Sequence, residues 1–250
     1  MNQKMLFDNS KIFKVPLKSS NQLVAGNTLA LVSIFLFAAG FPAAEVLLDV
    51  WHPITLMFVR LLLAVSTLVI LWAFIEGLSS VLKAPWLKGI KIGLLGFGLG
   101  TNLLLFAQWF TDPITVALLA TLIPISATIL EVWDGRRKLN SRFILGLSAS
   151  IIGGFIAVSE NISIDLGWGV LMALGSGFCF MWASDKSVTR LSELSSIARS
   201  SVTFTGAAVF TTISFAVFFT LGLIEIPTRP SSGQFLSLII YSVIAMAISQ

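Results

Sequence analysis

Charge is what this sequence most lacks. Only 11% of its 250 residues are Asp, Glu, Lys or Arg, against about 25% in soluble domains. Apolar residues take up 56% of the chain, and the mean hydropathy is +0.93. A soluble fold cannot cover that much apolar surface with so few polar groups. A disordered chain would need the opposite balance. Cysteine and histidine are scarcer still, one of each. Cys179 alone cannot close an intrachain disulfide, and with His52 as its sole companion it cannot build a metal cluster. No metal or other cofactor is expected. The composition is that of an integral membrane protein.

What is present is a series of long apolar runs. A helix needs about 20 apolar residues to cross the hydrocarbon core. Eight runs reach or approach that length: Leu23–Leu48, Ile54–Ile75, Leu87–Phe110, Ile114–Val132, Phe143–Val158, Gly167–Ser184, Val202–Ile224 and Phe235–Ser249. They are apolar on all sides, unlike the alternating strands of a membrane barrel. The expected fold is all-α, a polytopic transmembrane bundle of about eight spans. Residues 1–22 form a polar tail with four lysines. The first apolar run exceeds the ~7–15-residue core of a signal peptide and reads as a retained span. The last run is short, and the sequence stops inside it, so the final helix is expected to be incomplete.

The basic residues orient the bundle. Of the 16 Lys and Arg residues, 14 lie in the tail or after spans two, four and six. The opposite loops carry Glu45, Asp49, Asp112, Glu160, Asp165 and Glu225, with Arg229 as their one base. By the positive-inside rule the N-terminus is cytoplasmic. The net charge of +4 belongs to these loops. The lipid bilayer is the expected partner, and nucleic acid is not.

Residues Ser33 to Phe41 in span one have an echo in Ala173 to Phe178 in span six. Five spans separate the two, so equivalent helices enter the membrane from opposite sides, as in inverted-repeat transporters. Four further places sharpen the pattern. Span one holds Ala38, Ala39, Gly40, Phe41 and Pro42. Span two follows His52 and Pro53 and holds Arg60. Span four holds the stretch Ala117 to Pro124, and Leu139, Asn140 and Gly146 follow it. Gly167, Trp168 and Gly169 lead into Trp182. In order and spacing these resemble the drug/metabolite transporter superfamily, specifically the EamA-like permeases. The likeness covers Leu23 to the end of the sequence. It implies ten helices in two inverted sets of five. On that plan residues 23–160 are the first repeat, and residues 161–250 are a second repeat without its last two helices. It also implies export of a small organic metabolite across the inner or plasma membrane, and no enzymatic activity. A homodimer or a partner subunit would supply the missing helices. One departure stands out: Arg137 occupies the turn where the family carries a glutamate.

Several residues are candidates for the transport pathway. An arginine at a helix centre costs about 2.5–3.5 kcal/mol on insertion scales, so Arg60 needs an account. It either snorkels to the outer interface or faces inward, binding an anionic substrate group or pairing with Glu45 or Asp49. Gly40 and Pro42 can loosen span one, and Pro124 span four, as packing kinks or as the broken helices of a transport site. Asn102 lies at lipid depth and needs a hydrogen bond, to another helix or to substrate. Gln108, Trp109 and Trp182 are further cavity candidates. Gly93, Gly96 and Gly100 in span three read as a close-packing seam. Trp51, Trp72, Trp86, Trp109, Trp133 and Trp168 lie near span ends and fit an aromatic belt. If protons are coupled, Glu45, Asp49 and Asp112 are the outer-side acids. Two alternatives stand beside transport: a truncated or accessory membrane subunit with no transport of its own, and a membrane-embedded enzyme. No nucleophile–base pair, phosphate loop or ATPase signature supports the latter.

Overall fold

The computed structural model describes residues 20–111, 113–120, 122–135, 140–159, 167–224 and 231–248. All the regular secondary structure among them is helical. The twelve α-helices are α1 (Ser20–Ala38), α2 (Gly40–Leu48), α3 (Pro53–Glu76), α4 (Leu78–Lys83), α5 (Trp86–Ile92), α6 (Leu99–Phe110), α7 (Pro113–Ala120), α8 (Ile123–Trp133), α9 (Ser141–Ser159), α10 (Trp168–Arg190), α11 (Ser196–Thr220) and α12 (Ser232–Ile239). Two π-helical segments, Gly93–Gly98 and Ile240–Ile248, continue α5 and α12. Five helical stretches are long and apolar enough to cross a membrane: Gly26–Leu48, Pro53–Glu76, Trp86–Phe110, Thr115–Trp133 and Ser196–Thr220. The other three apolar runs of the sequence also form helices, within α9, α10 and α12 with its π-helical extension.

Local chemistry explains the boundaries. The α3 helix opens on His52, whose Nδ1 accepts the Ile54 N–H at 3.2 Å. Pro53 follows at a position whose amide would be unpaired in any case. The helix ends at Gly77, whose φ of +84° lies in the left-handed region that glycine adopts without strain. Ser195 caps α11 by accepting the Ala198 N–H at 3.2 Å. Ser231 and Gln234 form a reciprocal capping box on α12.

Spans one and four are each made of two helices. Span one breaks at Ala39, between α1 and α2. Pro42, three residues on, has no N–H to donate, so the preceding turn loses a backbone bond. Span four breaks between Ala120 and Ile123, with Pro124 in the first turn of α8. Span three reads from sequence as one smooth helix with a glycine seam. It departs from that expectation, because Gly93–Gly98 is π-helical.

Span seven is the centre of the packing. Its α11 lies against α3, where the rings of Phe58 and Phe215 stack at 4.5 Å. It also lies against span three, at glycines that leave no room for a side chain. A Cβ on Gly93 would overlap the Thr203 carbonyl, and one on Gly206 the Ile90 carbonyl. On the other face of span three, Gly96 and Gly100 meet Ala183 and Cys179 of α10. The seam expected from the glycine spacing therefore serves two neighbours at once.

The main apolar core joins α2, α3, α11 and the last helix through Ala44, Leu47, Leu56, Met57, Leu61 and Phe204. A second cluster gathers Trp72, Ile92, Ala183, Leu191, Ala198 and Val202. Trp72 is only 1% exposed and donates its indole N–H to Glu76 at 2.9 Å. It is a core residue and not a member of an aromatic belt, because Glu76 satisfies its N–H inside the protein. Trp51 is buried too, whereas Trp133 and Trp168 are well exposed, as belt residues are. Leu29, Ile34, Phe35, Phe74 and Leu145 are among many large apolar side chains on the outer surface. Only lipid accommodates so much exposed apolar surface. The chain is a multi-pass membrane protein.

Candidate functional site

Arg60 sits seven residues into α3 from Pro53, about 10 Å along the helix axis at 1.5 Å per residue. It does not snorkel. The side chain is buried, and its guanidinium carbon lies 3.6 Å from the centroid of the Tyr241 ring. Tyr241 belongs to the terminal π-helical segment and is itself buried. A cation on an aromatic face is held by about 0.5–1 kcal/mol when exposed, and by about 2 or more when desolvated. Arg60 makes no ion pair among the described residues, and its Nε has no hydrogen-bond partner. Glu45 and Asp49, its expected partners, are both exposed. Asp112 lies outside the described residues.

The other candidates fall into two groups. The first group ties helices together. Asn102 donates to the Gly98 carbonyl and to Thr211 Oγ1, both at 2.7 Å, so it links α6 to α11. Its own Oδ1 is buried and accepts nothing. Gln108 donates to the Phe41 carbonyl at 2.9 Å, which pins span three to the broken region of span one between Gly40 and Pro42. Gly40 is buried there and Pro42 is exposed.

The second group consists of Trp109, Trp182 and Pro124. Trp109 is 46% exposed and stands edge-on to His52, with centroids 4.9 Å apart. Phe106 and Phe218 complete an aromatic ring around His52. Burial pushes the His52 pKa down from its usual value. Trp182 is half-buried and packs against the cluster of Trp72, Ile92 and Ala183. Pro124 marks the start of α8.

Reading the sequence missed three features. Tyr241 is the one tyrosine in the chain. An aromatic with a polar tip in mid-span, away from the interface, is the signal that would have drawn attention to it. Thr211 escaped because a hydroxyl in an apolar helix is ordinarily satisfied by its own backbone. The hydroxyls of Thr55, Ser176 and Ser242 are buried without partners. With Arg60 Nε and Asn102 Oδ1 they give the interior unused donors and acceptors, which buried polar groups seldom are. Unused polar capacity inside a membrane bundle is what a polar solute could engage.

Comparison with known proteins bears on the same region. A solved structure described only as "Crystal structure of protein" is similar to this chain with a TM-score of 0.67 at 16% identity. The match covers 90% of this chain and 77% of that one, and it shows the fold alone. The chain matches no curated protein. The model of the EamA-like transporter family matches residues 24–159, more than half of the sequence. That stretch runs from span one through span five and includes Arg60, Asn102, Gln108 and both broken spans. The chain thus belongs to the EamA-like transporter family, a family of membrane transporters.

Proposed function

We propose that the chain is a secondary transporter that exports a small organic metabolite by alternating access across the inner or plasma membrane, with its N-terminus in the cytoplasm. One observation carries this reading. In a chain of a transporter family, Arg60 is buried at span depth against an aromatic ring, without a carboxylate partner among the described residues and with a free Nε. Intramembrane ionisable groups are rare and tend to mark solute pathways. A structural arginine would be expected to meet a carboxylate or several carbonyls. A ring face neutralises no charge, and Nε is left without a hydrogen bond for a solute to take up.

On this reading Arg60 receives an anionic or strongly accepting group of the substrate, and Tyr241 holds the cation in place between cycles. Asn102 Oδ1 offers the complementary acceptor. The breaks at Ala39, next to Gly40 and Pro42, and before Pro124 are the joints that let the half-helices of spans one and four tilt. Gln108 keeps the first joint in register with span three. Trp109 and Trp182 flank the path towards its two ends. Glu45, Asp49 and Asp112 are the acids open to proton coupling.

The experiment is counterflow in liposomes holding the purified protein and a pool of candidate metabolites. Arg60→Ala is expected to cut exchange at least tenfold, since a charge-assisted hydrogen bond contributes about 1.5–3 kcal/mol. Arg60→Lys is expected to retain part of the exchange, because the charge survives while the planar fork is lost. Unchanged counterflow in Arg60→Ala would remove Arg60 from the pathway.

A further inference from the structure

A second polar region lies where α10 ends and α11 begins. Ser184, Ser187, Ser196, Arg199 and Ser200 line a recess of about 140 Å³, with Phe97 as an apolar wall. An apolar cavity of about 150 Å³ takes a benzene-sized molecule, so the recess has room for a compact polar group. Most of the hydroxyls here are uncommitted. Ser187 is 8% exposed, and its side chain makes no hydrogen bond among the described residues. Ser184 and Ser200 likewise have no side-chain hydrogen bond, and Ser196 accepts from Arg199 Nη2 at 3.3 Å. Thr203 is different, since its hydroxyl donates to the Arg199 and Ser200 carbonyls.

The charges are asymmetric. Arg199 makes no ion pair with any described carboxylate. The nearest acid on α10, Asp185, is bound by Lys186 at 3.0 Å, and Glu193 is exposed. Lys186 also reaches Asp134 at 3.4 Å. The recess itself is lined by one cation and no anion. The first turn of α11, which contributes Ser196 and Arg199, adds the positive end of a 25-residue helix.

We propose that this recess is a binding site for a phosphate group. A guanidinium fork pairs bidentately with two phosphate oxygens. The free hydroxyls of Ser184, Ser187 and Ser200 can donate to the remaining oxygen and share the first two. A carboxylate, with two oxygens, would leave part of this donor set unused. The Ser187 hydroxyl lines the recess and makes no hydrogen bond among the described residues, so a phosphate oxygen can take it up without breaking an existing bond. The group could arrive as a free phosphate monoester or as the phosphomonoester headgroup of phosphatidic acid, which share this chemistry. The positive-inside pattern puts the recess at the cytoplasmic end, where both sources occur. The inference does not depend on the role assigned to Arg60.

The test is thermal unfolding of the full chain in nanodiscs, titrated with inorganic phosphate against chloride at equal ionic strength. In phosphatidylcholine discs phosphate is expected to raise the Tm. Arg199→Gln and Ser187→Ala are each expected to weaken the apparent Kd about tenfold, the effect of losing one charge-assisted hydrogen bond. Without phosphate, Ser187→Ala is expected to match the stability of the native chain, because the hydroxyl lines the recess and holds no hydrogen bond among the described residues. Discs containing phosphatidic acid separate the sources. An Arg199-dependent rise in Tm without added phosphate identifies a lipid headgroup as the occupant. A response to phosphate that persists in those discs identifies a soluble phosphate compound. The proposal is overturned if neither phosphate nor phosphatidic acid stabilises the protein, or if the stabilisation in both variants equals that of the native chain.

Discussion

Arg60 lies in α3 and His52 caps its start, and their surroundings give them opposite characters. Arg60 keeps its charge inside the bundle by resting on the ring of Tyr241. His52, at the mouth of the helix, serves as a neutral group: its Nδ1 must be unprotonated to accept the Ile54 amide. Burial among Phe106, Trp109 and Phe218 lowers its pKa in the folded state. The unfolded chain therefore takes up this proton first as pH falls. The contribution to stability is complete above the ordinary histidine value of about 6.5 and is lost as pH drops through the lower folded value. Thermal unfolding in nanodiscs between pH 7.5 and 5 should show a falling Tm. His52→Asn should flatten that slope, since asparagine caps a helix without titrating. His52→Ala should cost about 0.5–2 kcal/mol at neutral pH through loss of the cap. Equal slopes for His52→Asn and the native chain would show that another group is responsible.

At the scale of elements, the contact between span three and span seven is the least tolerant of change. Gly93→Ala drives a methyl group into the backbone carbonyl of Thr203, and a carbonyl cannot rotate away as a side chain can. The expected loss is about 1–3 kcal/mol, the range for overpacking. Gly146→Ala is the matched control, because a Cβ there meets nothing within 4 Å. Comparing the two by thermal unfolding checks the packing directly, and equal stability would refute it. Much of this level was legible in the sequence. Eight apolar runs became helices, Gly40 and Pro42 announced the break in span one, and Pro124 the one in span four. The glycine spacing announced a seam. It could not announce the π-helical turn, because 3.6-residue and wider turns both place small residues on one face. The partners of Arg60 and Asn102 were also out of reach. Tyr241 and Thr211 are remote in sequence and carry no pattern of their own, and only packing brings them in.

For the whole molecule, the distribution of lysine and arginine makes a claim about sidedness that labelling can check. In a Cys179→Ser background, Ile162→Cys should react with an impermeant thiol reagent added outside intact cells. Leu82→Cys should react only after the membrane is opened. The reverse pattern would invert the topology, and with it the proposed direction of export. The helices also bear on how this molecule is compared with others. A π-helical turn closes its hydrogen bonds one residue later than an α-helical turn, so Gly93–Gly98 holds in effect one inserted residue. Everything in α5 keeps its phase on one side of that point, and everything in α6 keeps a shifted phase on the other. An equivalence of positions drawn straight through span three would set Asn102 and Gln108 against the wrong faces of a relative that lacks the bulge. The gap belongs between Ile92 and Leu99, inside a membrane helix, where alignments are seldom opened.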